Sequence, residues 1–206
     1  MSIKNQKSAL ISVFNKDRIG EIAQKLTDLN INIISTGGTE KFLKKLGFKV
    51  DKVEEITEYP SIFGGRVKTL HPKVFGGILF RRNLPEDIDE KNKFKIPSID
   101  YVIVDLYPFE QTVKDSKSHS EIIEKIDIGG ISLIRAAAKN YNDVVCVSCT
   151  DQYDNFIKDL NENDGIFSLE TKKDYALKAF SISSNYDNLI SNYFEKGFLS
   201  ETKELR

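Results

Sequence analysis

The chain alternates short apolar runs with stretches in which apolar residues recur at helical spacing, and this alternation limits the fold more than any other feature. The first run, residues 8–14, precedes a helical pattern that begins at Ile19. The other predicted strands cover residues 31–35, 101–106 and 144–148, and residues 48–56 are predicted to form a short strand with its following turn. Strands that alternate with helices of this length form a parallel sheet with helices on both faces. The sequence therefore predicts one α/β domain with three layers and a mostly parallel sheet.

The same patterns separate the helices from an irregular middle third. Helices are predicted for residues 19–29, 40–46, 121–126, 130–139, 151–160 and 170–194. All five prolines lie between Pro60 and Pro108, which predicts a region rich in loops. Residues 83–95 are charged and polar, so we expect a surface excursion there, and residues 112–120 are predicted to form a polar loop.

The composition is that of an ordinary soluble protein. Of the 206 residues, 40% are apolar and 30% are charged, and the formal net charge is −1. This balance gives no support for nucleic-acid binding. The apolar runs are far shorter than the roughly 18 residues that a membrane helix needs. The first residues, MSIKNQKSAL, contain no long hydrophobic region, so we expect a cytoplasmic protein.

The two cysteines form a single C-x-x-C pattern that invites a zinc or redox interpretation. Cys146 lies in a predicted strand and Cys149 directly after it. Residues three apart in a strand point to opposite faces, and the sequence has no second cysteine pair. We therefore expect two reduced thiols and no metal site.

Polar residues follow the predicted strands, at the sheet edge where α/β proteins bind ligands. The first strand is followed by Lys16 and contains Ser12 near its end. The second runs into a glycine pair flanked by hydroxyl side chains: Ser35, Thr36, Gly37, Gly38 and Thr39. Backbone N–H groups at such a strand–helix junction favour a phosphate, and the pattern fits a monophosphate better than a triphosphate or a dinucleotide. The alternative is a tight turn with a helix N-cap.

Two further glycine pairs open segments that carry charged residues. Gly64-Gly65 precedes Arg66 and Lys68, which would point the same way in an extended segment and grip an anion or polarise a carbonyl. Residues 59–85 contain no acid, which on charge alone is equally consistent with an anion site and with a solvated basic face.

The second of these pairs follows an acid. Asp127 precedes Gly129 and Gly130 at the start of a predicted helix that ends near Lys139. On local grounds, Asp127 is equally consistent with a helix cap and Lys139 with compensation of the helix dipole. Tyr107, which follows the fourth predicted strand, is equally consistent with a half-buried aromatic residue.

Five motifs in this order and spacing resemble the IMP cyclohydrolase domain of the bifunctional purine-biosynthesis enzyme: ALISVFNK, STGGT, GGRVKTLHP, DLYPF and IDIGGISLIRAAAKN. The similarity covers about residues 8–195. It implies a methylglyoxal synthase-like fold and a homodimer. The implied reaction closes 5-formamidoimidazole-4-carboxamide ribonucleotide, a purine nucleotide precursor with a 5′-monophosphate, to IMP with loss of water. The resemblance implies no metal, no cofactor, no nucleic-acid partner and no membrane.

The resemblance also implies domain limits and site residues. The cyclohydrolase domain is expected at residues 1–198, with residues 199–206 a tail or the start of a linker, and the transformylase domain of the bifunctional enzyme is expected to be absent. The implied catalytic residues are Lys68, Tyr107, Asp127 and Lys139. The implied substrate-binding residues are Ser12, Lys16, Ser35, Thr36, Gly37, Gly38, Thr39, Arg66, Thr69, Asp105, Gly129 and Gly130.

The sequence departs from the family pattern at two positions. Asp105 stands where the family commonly has Asn, which we expect to alter a hydrogen bond to the base. Phe75 stands where the family commonly has His, which suggests that this His is not indispensable.

The reaction suggests a role for each implied catalytic residue. Asp127 and Lys139 are expected to manage the proton of the attacking amide, and Lys68 and Tyr107 to stabilise and then protonate the formyl oxygen. The twelve residues from Asp127 to Lys139 span roughly 18 Å in a helix. Either that helix starts late and bends or Lys139 serves the partner subunit, and we favour the partner subunit.

Two other functions compete with the cyclohydrolase. A regulatory module that binds a small phosphorylated ligand would explain the STGGT loop but not the four implied catalytic residues. A methylglyoxal synthase-like lyase would share the fold, but the long GGRVKTLHP and IDIGG segments favour the cyclohydrolase.

Overall fold

Short strands form a sheet at the centre of the fold. A computed structural model of the protein describes residues 6–116 and 118–204. The strands are β1 (Ser8–Ser12), β2 (Asn32–Ser35), β3 (Asp51–Lys52), β4 (Tyr101–Val104) and β5 (Val145–Val147). All described strand pairs are parallel, in the order β3-β2-β1-β4-β5. The predicted parallel α/β sheet is confirmed.

Helices cover both faces of this sheet. They are α1 (Ile19–Asp28), α2 (Gly37–Lys45), α3 (Val53–Thr57), α4 (Pro72–Leu79), α5 (Pro85–Lys93), α6 (Phe109–Asp115), α7 (His119–Glu124), α8 (Gly129–Lys139), α9 (Tyr153–Glu162) and α10 (Leu169–Glu204). The expected domain limit at residue 198 falls within α10, and residues 205–206 of the expected tail lie outside the described residues. Within the described ranges, no helix has the length and apolar character needed to cross a bilayer.

Two local predictions were wrong. Within residues 48–56 a helix, α3, follows the short strand β3 in place of the predicted turn, and residues 112–120 contain the end of α6 and the start of α7 rather than a loop. The expected excursion at 83–95 contains α5, which begins with proline at its first turn and buries no side chain. Polar composition thus marked the exposure of these segments correctly but missed their helical backbone.

The sheet separates two apolar cores because successive strand residues face opposite sides. In β1, Ala9 and Ile11 pack with α1 and α9, whereas Leu10 packs with α4 and α8. A third cluster, formed by Phe109, Ile122 and Tyr186, joins α6 and α7 to α10. The chain order of the strands reverses between β1 and β4, which opens a crevice at their carboxyl ends.

Gly77 has a packing role in α4. A Cβ built on Gly77 would lie 2.5 Å from the carbonyl oxygen of Pro97. We expect Gly77→Ala to lower the free energy of unfolding by about 1–3 kcal/mol, because the backbone around Pro97 must shift. Gly38→Ala is the control, since a Cβ there meets nothing within 4 Å. Urea denaturation of both variants tests this, and equal midpoints would contradict it.

Candidate functional site

The loops that follow β1 and β4 meet at the reversal of strand order. A cleft of about 590 Å³ opens there. Its lining comes from the β1–α1 loop, the β4–α6 loop, the segment after β5 and α10: Phe14, Asn15, Lys16, Asp105, Leu106, Pro108, Ser148, Cys149, Thr150 and Ile182. The predicted site residues Lys16 and Asp105 are therefore brought together at this edge.

Two hydroxyls of the STGGT segment are already engaged by the first strand and its loop. Ser35 donates to the carbonyl oxygen of Ile11 at 2.6 Å. The Thr39 hydroxyl donates to the Val13 carbonyl at 3.0 Å and accepts from the Val13 N–H at 3.1 Å. Both side chains are buried. These two hydrogen bonds therefore join the ends of β1 and β2, and both hydroxyl protons are used within the chain rather than donated to a ligand.

The third hydroxyl of the segment differs. Thr36 is the N-cap residue of α2 and is more than nine-tenths buried, yet its hydroxyl makes no hydrogen bond among the described residues. Burying an unpaired hydroxyl is costly, so this group is suited to a polar partner that the chain itself does not supply. Gly37 follows it with φ +57°, a left-handed conformation that favours glycine.

The predicted lysine of the GGRVKTLHP motif reaches this same loop. A Cβ built on Gly37 would lie 3.1 Å from the Lys68 Nζ, so the ammonium lies directly against the loop backbone. Lys68 also pairs with Glu54 on α3, with 3.5 Å between Nζ and Oε1. The adjacent Thr69 approaches Gly129, where an added Cβ would lie 3.0 Å from its hydroxyl. Lys68 and Thr69 thus connect the β2–α2 loop to the start of α8.

The prediction that Arg66 and Lys68 share one direction in an extended segment was wrong. Residues Phe63–Gly65 form a 3₁₀ turn, and Arg66 itself has helical backbone angles. Arg66 pairs with Glu124 on α7 and is largely exposed, whereas Lys68 pairs with α3. The turn rotates the two side chains toward different elements.

Acids from outside the acid-free stretch pair with its cations. The described pairs are Arg66–Glu124, Lys68–Glu54, Lys73–Glu58, Arg81–Asp87, Arg82–Asp100 and Arg82–Asp143. The stretch is therefore not a continuous anion-binding surface. A linear count of charges missed this because the partners come from other elements.

The β1–α1 loop is held by a carboxylate. Asp105 accepts the N–H of Phe14 and, at 2.9 Å, the N–H of Asn15. Burial raises the pKa of Asp105, although these bonds and Lys16 oppose the shift. The Lys16 ammonium donates to the carbonyl oxygens of Val13 and Phe14, and burial lowers its pKa.

Asp127 lies where α8 begins, and it has two distinct properties. Its Oδ1 accepts the N–H of Gly130 at 2.6 Å, as a capping carboxylate does. Burial nevertheless raises the pKa of Asp127 above that of an ordinary aspartate, because desolvation outweighs the hydrogen bonds from Gly130 and Ile131. The Asp127 N–H in turn donates to the Tyr186 hydroxyl of α10 at 2.8 Å. Asp127 therefore caps the start of α8 and also has a raised carboxyl pKa.

Tyr107 is half-buried between two side chains that the sequence did not indicate. The ring of Phe14 lies 4.2 Å from its ring, centre to centre. The Lys125 ammonium lies 4.6 Å from the ring centroid and 3.4 Å from the hydroxyl. Lys125 immediately precedes the IDIGG motif, so the sequence could have indicated it as a site residue.

The sequence could not have indicated the contact of Tyr186 with Asp127, because the two residues are far apart in the chain.

Lys139 is not brought to Asp127 within the chain. It is the last residue of α8 and is exposed, whereas Asp127 precedes the first. The helix begins directly at Gly129, so the late start that would shorten the separation is not observed. The 11 residues of α8 span about 16 Å.

The remaining predicted features are structural. Phe75 packs against the core between the sheet and α8, and His71 caps α4 by accepting the Lys73 N–H at 3.1 Å. Cys146 is a free, buried thiol in β5, and burial raises its pKa to about 12; Cys149 is also free. Across residues 6–116 and 118–195, no three His, Cys, Asp or Glu side chains are grouped as metal ligands.

Two family models match the chain. The model described as MGS-like domain matches residues 18–132, and the model described as AICARFT/IMPCHase bienzyme matches residues 137–206. The crystal structure of ForH superposes with a TM-score of 0.82 at 32% sequence identity, covering 92% of this chain and 97% of that one.

Relatives named bifunctional purine biosynthesis protein PurH match nearly the whole chain. The protein of Bacteroides thetaiotaomicron is 55% identical over 194 residues, which are 94% of this chain and 38% of that protein. The protein of Clostridioides difficile is 50% identical over 188 residues, 91% of this chain and 36% of its own length. The chain thus spans less than two fifths of these relatives. It is homologous to their IMP cyclohydrolase part, and it belongs to the MGS-like domain family.

Proposed function

We propose that the chain is an IMP cyclohydrolase, which closes 5-formamidoimidazole-4-carboxamide ribonucleotide to IMP and releases water. The observation that carries the proposal is the contact of Lys68 with Gly37 beside the buried, unpartnered Thr36 hydroxyl. The start of α2 thus offers an unused donor for a phosphate, and the Lys68 ammonium lies beside it for the reacting part of the same ligand, in a chain homologous to the cyclohydrolase part of PurH. The function is proposed for the cytoplasm, where free cysteines are the rule.

The substrate's 5′-phosphate is assigned to the β2–α2 loop. The Thr36 hydroxyl and the first N–H groups of α2, at Gly37 and Gly38, are the proposed donors, and Lys16 is the proposed mobile cation. Ser12, Ser35 and Thr39 are assigned to building the loop, in accord with the internal bonds of Ser35 and Thr39. Binding at the phosphate then orients the two reacting groups of the base.

Ring closure needs a base and an acid in one site. The carboxamide nitrogen attacks the formyl carbon, a C–N bond forms, and Asp127 takes the nitrogen's proton. Lys68 and Tyr107 donate hydrogen bonds to the formyl oxygen as it gains charge. That oxygen receives two protons, one lost by the carboxamide nitrogen and one lost by the formamido nitrogen, and it leaves as water as the C–O bond breaks and a C=N bond to the formamido nitrogen forms. The raised pKa of Asp127 supports its role, because a base is most effective when its pKa approaches the working pH.

The proposed enzyme is a homodimer in which Lys139 completes the partner's site. The outer face of α8 and α10 exposes the apolar side chains of Ile128 and Phe180, and Arg135 lies over the Phe180 ring. Antiparallel pairing of two α8 helices across a two-fold axis would bring Lys139 of one subunit to Asp127 of the other.

Mixing two inactive variants tests this arrangement. Lys139→Ala and Asp127→Asn subunits, unfolded and refolded together, are expected to recover about a quarter of wild-type activity, because half of the dimers then hold one intact site. The separately refolded variants are the control. Recovery no greater than their average would place Lys139 in its own chain's site or outside any site.

The function itself is tested by a spectrophotometric assay of ring closure. The substrate is 5-formamidoimidazole-4-carboxamide ribonucleotide, with chelator present and no folate added, and we expect turnover to IMP. Binding of IMP without turnover would instead support the regulatory module. Formation of methylglyoxal from dihydroxyacetone phosphate would support the lyase.

A further inference from the structure

Asp105 connects two loops that are distant in sequence. It follows β4 at the point where the strand order reverses, next to β1. Its Oδ2 accepts the N–H of Asn15 at 2.9 Å, and its Oδ1 accepts the N–H of Phe14. Both carboxylate oxygens therefore accept hydrogen bonds from the β1–α1 loop, and they are not free to bind the nucleobase of a ligand.

Half-burial of the Asp105 carboxylate costs free energy, because its charged form is partly removed from water. Burial raises its pKa, and the charged or titratable groups near it are Lys16 of the loop and Tyr153 of α9. Bonds from two backbone N–H groups offset that burial. The same loop carries Lys16, whose ammonium is turned onto the carbonyl oxygens of Val13 and Phe14.

We propose that Asp105 is a positioning residue for the nucleotide: it holds the Phe14–Lys16 segment so that Lys16 is presented to the phosphate. The inference rests on the proposed function, and it assigns Asp105 no contact with the substrate. A carboxylate suits the task because two N–H donors each require an acceptor. Asparagine offers one oxygen, and its amide group would set a donor against the second N–H.

Asp105→Asn tests the inference in two ways. In the ligand-free protein, the Phe14 and Asn15 amide protons are expected to exchange at least about tenfold faster, since charge-assisted bonds to them are lost. In calorimetry with IMP as the probe, the dissociation constant is expected to rise about tenfold. KM should rise with it, whereas kcat should change little, because the reacting groups are untouched.

Asp17→Asn is the matched control. It removes the same charge from the same loop, but Asp17 is exposed, so exchange and IMP affinity should remain those of the wild type. Unchanged amide exchange in Asp105→Asn would overturn the inference. Faster exchange with unchanged IMP affinity would overturn it as well. Failure of the wild type to bind IMP would instead overturn the proposed function, and the exchange rates would still report on Asp105.

Discussion

Replacing Lys68 with methionine is expected to lower kcat for ring closure by about 10²–10³-fold, the loss typical when a group that stabilises a developing oxyanion is removed. Methionine keeps most of the apolar stem and removes the ammonium, so the fold should persist. The variant should still bind IMP, because the Thr36 hydroxyl and the α2 N-terminus remain. Steady-state kinetics and IMP calorimetry on one preparation measure both effects.

Lys73→Met is a closely matched control for this experiment. The Lys68 and Lys73 side chains are both 20% exposed, and each pairs with a glutamate, Glu54 and Glu58 respectively. Lys73 lies on α4, away from the β2–α2 loop, so its loss should leave kcat within about twofold of the wild type. Near-normal turnover by Lys68→Met would remove Lys68 from the mechanism.

Replacing Asp127 with asparagine is expected to lower kcat/KM by about 10²–10⁴-fold and, in the same protein, to raise the melting temperature. The folded protein holds the pKa of Asp127 above its unfolded value, so the folded state binds this proton more tightly. The contribution of Asp127 to stability therefore falls as the pH rises from the unfolded pKa to the folded pKa, and it remains unfavourable above that range. Asparagine removes this penalty and can still accept the Gly130 N–H.

The pH dependence provides a second measure of Asp127. The acid limb of the wild-type kcat/KM profile should lie above the ordinary aspartate range, because a base must be ionised to act. Asp159→Asn serves as control, since burial also raises the pKa of that acid but it contacts Tyr175 away from the site. An unchanged melting temperature together with full activity in Asp127→Asn would contradict both the penalty and the role.

Sequence patterns were most informative where a single element carries the information. The apolar run of β1 and the helical spacing from Ile19 predicted the parallel sheet, because burial on both faces demands continuous apolar strands. Patterns failed for α3 to α6, whose short helices bury few side chains and leave little periodicity. Polar composition indicated the exposed surface of α5 correctly but not its backbone.

In the candidate site, too, local features could be predicted from the sequence, whereas neighbours in space could not. The sequence by itself determined the residue types, the glycines and the motif order, because turn geometry and close backbone approach are local requirements, as the positive φ of Gly37 shows. Only the tertiary structure decided the partners: Glu54 beside Lys68, Tyr186 below Asp127 and the Asp105 carboxylate across the β1–α1 loop. Burial, pairing and pKa are properties of neighbours in space, and residues 14 to 90 positions apart become neighbours only when the sheet is assembled.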